Sequence, residues 1–447
     1  MQRVLVLAAT TGYQTRSFGA AAERLGVELV YGTDRCHLIE DPWQDQAIPI
    51  RFHDEDASVA AILEVAAAKR FDGVIAVGDR PTVIAARVAQ ALGLPWHAPE
   101  AAAVARHKLL TRERLRDAGL PVPWFFPVAA RHEPIIGGAH LATGNQQPAT
   151  SPPSFPCVVK PVALSGSRGV MRVDDPASYA AAFERLRALL RSPDVRAERN
   201  DAHETILVEG FIPGREYAVE ALLHDGALHV LAIFDKPEPL DGPFFEETIY
   251  VTPSSAPPEA QDRIIEAIGN AAKALGLQHG PVHAECRANA DGVFVLEVAA
   301  RPIGGLCARA LRLTPTGGSQ SDRISLEELL LRHALGEDPG AWRRERDASG
   351  VMMIPIPGRG ILRGVEGVEA ARQIVGIDDV RITAKPDQLL VPLPEGASYL
   401  GFIFARAADV VSVRAALAAA HRCLTFVIDP ELPVLRPSQI HYNRQHG

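Results

Sequence analysis

The apolar positions at the start of the chain fall in short runs separated by polar turns. Val4–Leu7 and Glu28–Val30 are runs of strand length, and the Ala-rich stretch Gly19–Leu25 between them predicts a helix, so the chain opens as β-α-β. Gly73–Val77 and a helical stretch over Pro81–Leu92 continue the pattern to about Pro95, which predicts a small parallel sheet with helices. The loop Ala9–Ser17 has one glycine and no GxGxxG spacing, so it reads as a plain turn. One helix is predicted over Pro99–Asp117, closed by Gly119 with Pro121 and Pro123 beyond. Residues 131–156 are rich in Gly, Pro, Ser, Thr, Asn and Gln without periodicity and read as an irregular insertion.

Order returns at Cys157 with the strand CVVKP, a turn over Ser165–Gly169, a helix around Ala177–Leu190 and the strand Thr205–Glu209, a succession that suits a lid. Residues 216–335 alternate strands and helices, and Asp347–Gly350 marks a boundary. Beyond it, strand Val351–Ile356, a helix near Glu366–Arg372, strand Tyr399–Ala405, helix Ala407–Ala420 and strand Cys423–Ile428 predict a compact α+β module.

Composition narrows the class. At 447 residues the chain holds several domains, and 47% apolar with 22% charged residues is ordinary globular usage. The net charge of −8 is spread in mixed signs, so no basic face for nucleic acid or anionic lipid is expected, and small molecules are the expected partners. No apolar run reaches the roughly 20 residues of a membrane span and the N-terminus shows no signal-peptide pattern, so a cytoplasmic location is expected. Cys36, Cys157, Cys286, Cys307 and Cys423 are scattered and lack CxxC spacing, which suggests neither disulfides nor a zinc cluster built on them.

Chemistry concentrates in VHAECRANADGVFVLEVAAR, whose two strands alternate polar and apolar residues. His283, Glu285, Arg287, Glu297 and Arg301 share one face, and Ala284, Cys286, Phe294, Leu296 and Val298 the other. A three-residue loop Ala290–Gly292 with a left-handed glycine sets Glu285 directly opposite Glu297. Two carboxylates in that position repel by about 0.2–1 kcal/mol and call for a compensating cation. A hard divalent ion with oxygen ligands, Mg²⁺ rather than a caged Ca²⁺, answers this; the alternative is a solvated ion-pair face with Arg287 and Arg301 neutralising the acids.

Two further segments add weaker signals. Lys160 ends an apolar strand and is followed by Ser165-Gly166-Ser167-Arg168-Gly169, small residues that let backbone N–H groups approach an anion, although the spacing is not that of a Walker loop. In ILVEGFIPGREYAVE an apolar strand ends at Glu209 and Glu216 heads the next. Main-chain groups over Glu209–Ile212 would suit an adenine and a carboxylate both ribose hydroxyls; a surface hairpin with ordinary glutamates is the alternative.

Taken in order, Lys108 in a helix, Lys160 on a strand, SGSRG, VEGFIPGREY, and HAECR followed by LEVAARPIGG resemble the ATP-grasp superfamily of carboxylate–amine ligases, over residues 1 to about 335. FDKPEPLDGPFFEETIYVTPS and the C-terminal module look like the dipeptide-forming L-amino acid ligases. The resemblance implies an α/β ATP-grasp fold: an N-terminal parallel-sheet domain (1–98), a helical linker with insertion (99–156), a lid (157–215), a catalytic core (216–346) and the C-terminal α+β module (347–447). It implies Lys108 and Lys160 on the ATP phosphates and Ser165, Gly166, Ser167 and Gly169 as the phosphate loop. Glu209, Gly210, Phe211 and Ile212 would hold adenine, Glu216 ribose, and Glu285 with Glu297 the Mg²⁺, or Mn²⁺ in its place. Arg301 is the expected catalytic side chain, neutralising a developing acyl phosphate. Lys236, Glu246 and Glu247 lie in the amino-acid-ligase-like segment, where one glutamate would meet a substrate ammonium, with His283 as a second candidate. Gly304 and Gly305 form a turn beside the site, and Arg309 beyond is a candidate for a substrate carboxylate.

The implied reaction phosphorylates a carboxylate with ATP and lets an amine displace phosphate. One position departs from the pattern: Ala299 stands where many relatives carry a metal-ligating Asn. A biotin-carboxylase-like or purine-pathway enzyme, and a silent ATP-responsive binding module, are the rival readings. Relatives are often dimers, and the residues do not name the two substrates.

Overall fold

The computed structural model describes residues 1–9, 14–34, 47–132 and 153–431. Most of the expected insertion at 131–156, part of the Ala9–Ser17 loop and Cys36 lie outside these residues. The four described cysteines are free, three of them buried.

The N-terminal domain is a four-stranded parallel sheet in the order Ile48–Pro49, Glu28–Thr33, Arg3–Ala8, Gly73–Val77. Its core joins Leu5, Leu7, Val30 and Val74 to Ile62 and Ile84 from the helices. The sequence reading passed over one of those helices, Glu55–Ala68, capped by the Asp54 carboxylate on the Ala57 N–H. Its Ala and Ile residues are spread around the whole cylinder, so no amphipathic stripe announces it.

The single helix expected over Pro99–Asp117 is two, Pro99–Ala105 and Lys108–Asp117. The chain breaks at extended His107, whose ring accepts the Leu110 N–H as a cap. The break makes Lys108 the first residue of a helix and ties its N–H to the Val162 carbonyl at 2.8 Å.

The lid is a four-stranded antiparallel sheet in the order Phe125–Ala129, Thr205–Gly210, Cys157–Pro161, Met171–Val173, backed by helix Pro176–Leu190. Phe125–Ala129, assigned to the linker, therefore shares a sheet with the strands expected to form the lid. An Asp175–Ser178 capping box starts the helix, and Tyr179, Phe183 and Leu186 pack on Val159 and Val208.

Core and C-terminal module share one eight-stranded sheet, in the order Gly292–Ala299, Gly280–Asn289, Arg215–His224, Ala227–Asp235, Ile249–Thr252, Ala348–Ile354, Gly401–Ala407, Ile377–Ile382. The boundary expected near residue 347 is a continuous ladder: Ile249–Thr252 pairs with Ala348–Ile354, which pairs with Gly401–Ala407. Helix Val410–Arg422 covers those strands, burying Val413 and Leu417. Helix Leu326–Ala334 reaches back to the N-terminal sheet, where only a glycine fits: a Cβ on Gly73 would lie 2.7 Å from the Ala334 carbonyl oxygen. Among the described residues no helix is long and apolar enough to cross a membrane.

Candidate active site

The central hairpin delivers its acids by a different route from the one expected. Asn289 pairs with Gly292, so the loop has two residues, Ala290 and Asp291, not three. That register alone would set Glu285 against Leu296. A bulge between the Glu285–Glu297 and Cys286–Val295 pairs inserts Leu296 and restores Glu285 opposite Glu297. Phe294 and Leu296, assigned to the apolar face, are displaced from it: Val293, Val295 and Val298 pack with Ala284 and Cys286, while Leu296 lines a cavity beside Glu297.

That cavity, of about 500 Å³, lies between the N-terminal domain, lid and core. Its walls carry Lys108, Lys160, Ser165, Gly166, Ser167, Glu209, Gly210, Ile212, Glu216, Glu247, His283, Glu285, Glu297, Arg301, Gly304 and Gly305 of the expected residues. The opposed acids are compensated, but not by the arginines. Lys108 Nζ lies 3.2 Å from Glu297 and Lys236 Nζ 3.1 Å from Glu285. Arg287 is engaged by Glu216 at 2.8 Å, and Arg301 grips Asp79 through two bonds of 2.9 and 3.1 Å.

At one end of the cavity cations exceed anions. Glu209 is buried and shared between Lys160, at 2.5 Å, and Arg112, at 2.8 and 3.2 Å. Burial pushes the Lys160 ammonium down to about 8, with Arg112 adding to the effect and Glu209 opposing it. Burial would raise the Glu209 carboxyl, but Arg112 and Lys160 outweigh it and bring it to about 2. Two cations on one carboxylate leave one buried positive charge without a counter-ion. Ser165–Ser167 borders this end, with Ser167 in a left-handed conformation at φ 54°.

A second group, of carboxylates, gathers on the same cavity wall. The ammonium of Lys236 sits among Glu216 at 2.7 Å, Glu247 at 2.7 Å and Glu285, and the Tyr250 hydroxyl donates to Glu247 at 2.7 Å. Burial first, then Glu285, pushes the Glu247 carboxyl up to about 7 against the pull of Lys236. Oxygens of Glu216, Glu247 and Glu285 all lie within 4.8 Å of one another. Burial disfavours a charged His283, but Glu220 at 3.0 Å and Glu285 at 3.7 Å overcome it and lift the imidazole to about 9. Three clustered carboxylates, two of them on strands and all open to the cavity, offer the all-oxygen donors that fit a hard divalent ion.

Several expected residues stand elsewhere. Glu246 is not on the cavity wall, whereas its neighbour Glu247 is. Arg309 is held by Asp379 at 3.1 Å and stacks over Phe404, away from the cavity. Gly169 gives its N–H to the Pro394 carbonyl at 2.8 Å and fits against Leu186, so it fixes the end of the loop without lining the cavity. Phe211 stacks on Phe245 and takes the Arg172 and Arg287 guanidinium groups on its ring. The N–H groups of Gly210 and Phe211 are already bonded to the Trp124 and Pro156 carbonyls, so they do not offer the free main-chain donors expected for adenine.

The sequence reading also missed Arg112, Asp79 and Tyr250. Arg112 lies one helical turn after Lys108 and so shares its face. Asp79 follows the C-terminal end of a parallel strand, where ligand crevices form in α/β sheets. Tyr250 had no signal beyond its place in an apolar strand. Arg112 is 1% exposed and also donates to the Val295 and Leu296 carbonyls. Arg112→Ala leaves Glu209 to Lys160 alone and strands two carbonyls, and is expected to cost about 1–3 kcal/mol in urea denaturation; no measurable loss would show the cluster to be solvated.

Three family models match the chain: an ATP-grasp N-terminal domain over residues 19–96, an ATP-grasp domain over 153–310 and an L-amino acid ligase C-terminal domain 2 over 352–429. The chain is an ATP-grasp ligase. Within that class its C-terminal module is of the L-amino acid ligase type. The crystal structure of an L-amino acid ligase from Bacillus licheniformis superposes with a TM-score of 0.78 at 26% identity, covering 96% of this chain and 99% of that one. Carnosine synthase 1 of Gallus gallus is 30% identical over 360 residues, 76% of this chain, and alanine–anticapsin ligase of Bacillus subtilis (strain 168) 25% identical over 291 residues, 61% of this chain. The matches span 37% and 58% of those two proteins.

Proposed function

We propose that the protein joins the carboxylate of one amino acid to the amine of another, using ATP and releasing ADP and phosphate. The observation that carries this reading is one cavity that joins a surplus cation at Lys160 to a cluster of three carboxylates, Glu216, Glu247 and Glu285, with oxygens within 4.8 Å of one another. A nucleoside triphosphate with its divalent ion satisfies both. The L-amino acid ligase type of the C-terminal module supports amino acids as substrates.

In this scheme a carboxylate oxygen attacks the γ-phosphorus, the bond to ADP breaks, and an acyl phosphate forms. An amine then attacks the acyl carbon, the C–O bond to phosphate breaks, and the amine proton passes to solvent. Lys108 and Lys160 hold phosphate oxygens, and Ser165–Ser167 closes over them through backbone N–H groups. Glu216 remains the candidate for ribose and Ile212, on the cavity wall, for contact with the base. Glu285 and Glu297 would hold Mg²⁺, which when bound supplies charge neutralisation on the phosphates. Arg301, kept rigid by Asp79, faces the transferring group. Glu247 and His283 are candidates for a substrate ammonium, and the Gly304–Gly305 turn for its carboxylate. No nucleophilic side chain is needed, because positioning and charge neutralisation supply the rate enhancement.

A phosphate-release screen of amino acids, singly and in pairs, with products identified by mass, tests the function. Release that depends on a pair and yields its amide is expected; binding of ATP without turnover across the panel would leave only the silent module. The low proton affinity of Lys160 gives a second test. Below about pH 8 its ammonium is in place for phosphate, whereas above it ATP binding must take up a proton. ATP affinity by calorimetry is expected to weaken toward about tenfold per pH unit above that point, and Lys160→Met to abolish the dependence. A flat profile to about pH 9.5 would remove Lys160 from the phosphate site.

A further inference from the structure

Behind the cavity wall, one carboxylate holds two pieces of the site that are far apart in the chain. Glu220, in strand Arg215–His224, is fully buried and does not itself line the cavity. The antiparallel register sets it directly opposite His283, so both side chains stand on the same face of the sheet as Glu285. One of its oxygens lies 3.0 Å from His283 Nδ1, and both accept the Ile303 N–H at 3.1 Å. His283 and Ile303 both line the cavity, and Ile303 leads directly into the Gly304–Gly305 turn.

We propose that Glu220 is a positioning residue for the amino acid substrate: its carboxylate fixes the His283 ring and the Ile303–Gly305 backbone relative to each other, so that both meet one substrate molecule in a preset geometry. This rests on the reading of the cavity as an amino acid site.

Three observations support it. The first is the direction of the ring. An ionised carboxylate can only accept, so Nδ1 carries the proton shared with Glu220. That leaves Nε2 as the nitrogen presented to the cavity, where it lies 3.7 Å from Glu285. An imidazole without such a partner could turn over about its second side-chain torsion and exchange its two nitrogens.

The second is that the loop is gripped on both sides of the same residue. While Glu220 takes the Ile303 N–H, the Ile303 carbonyl accepts the Gln14 side-chain amide at 2.7 Å, and Gln14 is 4% exposed. Gln14 starts helix Thr15–Leu25 of the N-terminal domain, so that domain and the core sheet hold one loop residue between them. Arg301 closes the same segment by donating from Nη1 to the Pro302 carbonyl while its other nitrogens hold Asp79. At the far end Gly305, at φ 61°, sits against the Phe402 ring, from which a Cβ would lie 3.3 Å away. The turn thus enters the cavity with its backbone fixed at both ends.

The third is energetic. A carboxylate without exposure is costly to bury, and a buried ion pair is commonly matched in stability by apolar residues of similar volume. Stability alone therefore does not call for Glu220, whereas holding two cavity groups at a fixed separation does.

The test separates this role from the reading it rests on. In full-length protein containing histidine with a heavy nitrogen isotope, the His283 ring N–H is expected as a downfield proton resonance protected from exchange with water. It should be lost in both His283→Gln and Glu220→Gln, and observing it needs no substrate. Kinetics then use the pair of standard L-amino acids with the highest turnover in the phosphate-release screen. Glu220→Gln, of equal shape, is expected to raise KM for one amino acid of the pair by up to about 10²-fold, while KM for ATP and the thermal transition hold. Adding His283→Gln should cost little more, because the two changes remove one interaction. Gln14→Ala frees the loop from the other side with the carboxylate in place, so it should raise the same KM by a smaller factor and decides the matter where Glu220→Gln does not fold. A His283 resonance that persists in Glu220→Gln, equal losses of ATP and amino acid affinity, additive effects of Glu220→Gln and His283→Gln, or an unchanged KM in Gln14→Ala would overturn the positioning role. Absence of turnover with every pair would instead overturn the ligase reading, and the resonance would still decide whether Glu220 holds the ring.

Discussion

Glu297→Gln is expected to lower amide-forming turnover by about 10²–10³-fold at saturating Mg²⁺, with the thermal transition preserved. The substitution keeps the shape of the side chain but removes the charge opposite Glu285. Glu297 is on the cavity wall, 25% exposed, and its one close cation is Lys108, so no buried network collapses with it. What is lost is half of the acidic pair that would bind the divalent ion. Ala299 offers no side-chain ligand two residues on, which leaves Glu297 with fewer substitutes. Full activity of the variant with Mg²⁺ in excess would contradict the metal assignment.

Arg301→Ala is expected to reduce kcat by about 10³-fold or more while changing ATP affinity little. The guanidinium is 8% exposed and clamped by both oxygens of Asp79, so it reaches the cavity with little freedom to lose on reaction. Truncation leaves Asp79 unpaired, so Arg301→Lys is the companion variant: it keeps the charge but loses the two-pronged grip, and should show an intermediate kcat with a native melting transition. A loss confined to ATP binding in both variants would reassign Arg301 to the nucleotide.

Much of this was legible in the chain, for reasons that differ between residues. Glu285 and Glu297 were readable because strands alternate with a period of two, and a sheet punishes opposed like charges. Their pairing nevertheless arises from a two-residue loop plus a bulge at Leu296, not from the expected three-residue loop. A bulge is set by how the hairpin packs on helix Pro258–Leu275 and its neighbours, which local pattern does not report. The same limit explains Phe294 and Leu296, whose faces were inverted.

Ion-pair partners were harder. The alternative reading had Arg287 and Arg301 neutralise the acid pair, yet strand pairing gives Arg287 to Glu216, and the N-terminal sheet supplies Asp79 to Arg301 from more than two hundred residues away. Lys108 could be placed on the cavity only through the break at His107, where a ring nitrogen, rather than a typical capping residue, starts the helix. Arg309 illustrates the reverse error: a cation near a glycine turn suggests a ligand, but Asp379 of the C-terminal module claims it. That module was read as separate because its strands form a complete pattern by themselves; edge-to-edge pairing with Ile249–Thr252 is invisible to periodicity.

The mechanism can be tested at the atom that moves. If an amino acid whose carboxylate carries a heavy oxygen isotope is supplied with ATP and a second amino acid, the released phosphate should contain one labelled oxygen per amide formed, alongside ADP. Unlabelled phosphate, or label appearing in AMP, would contradict activation of the carboxylate by the γ-phosphate.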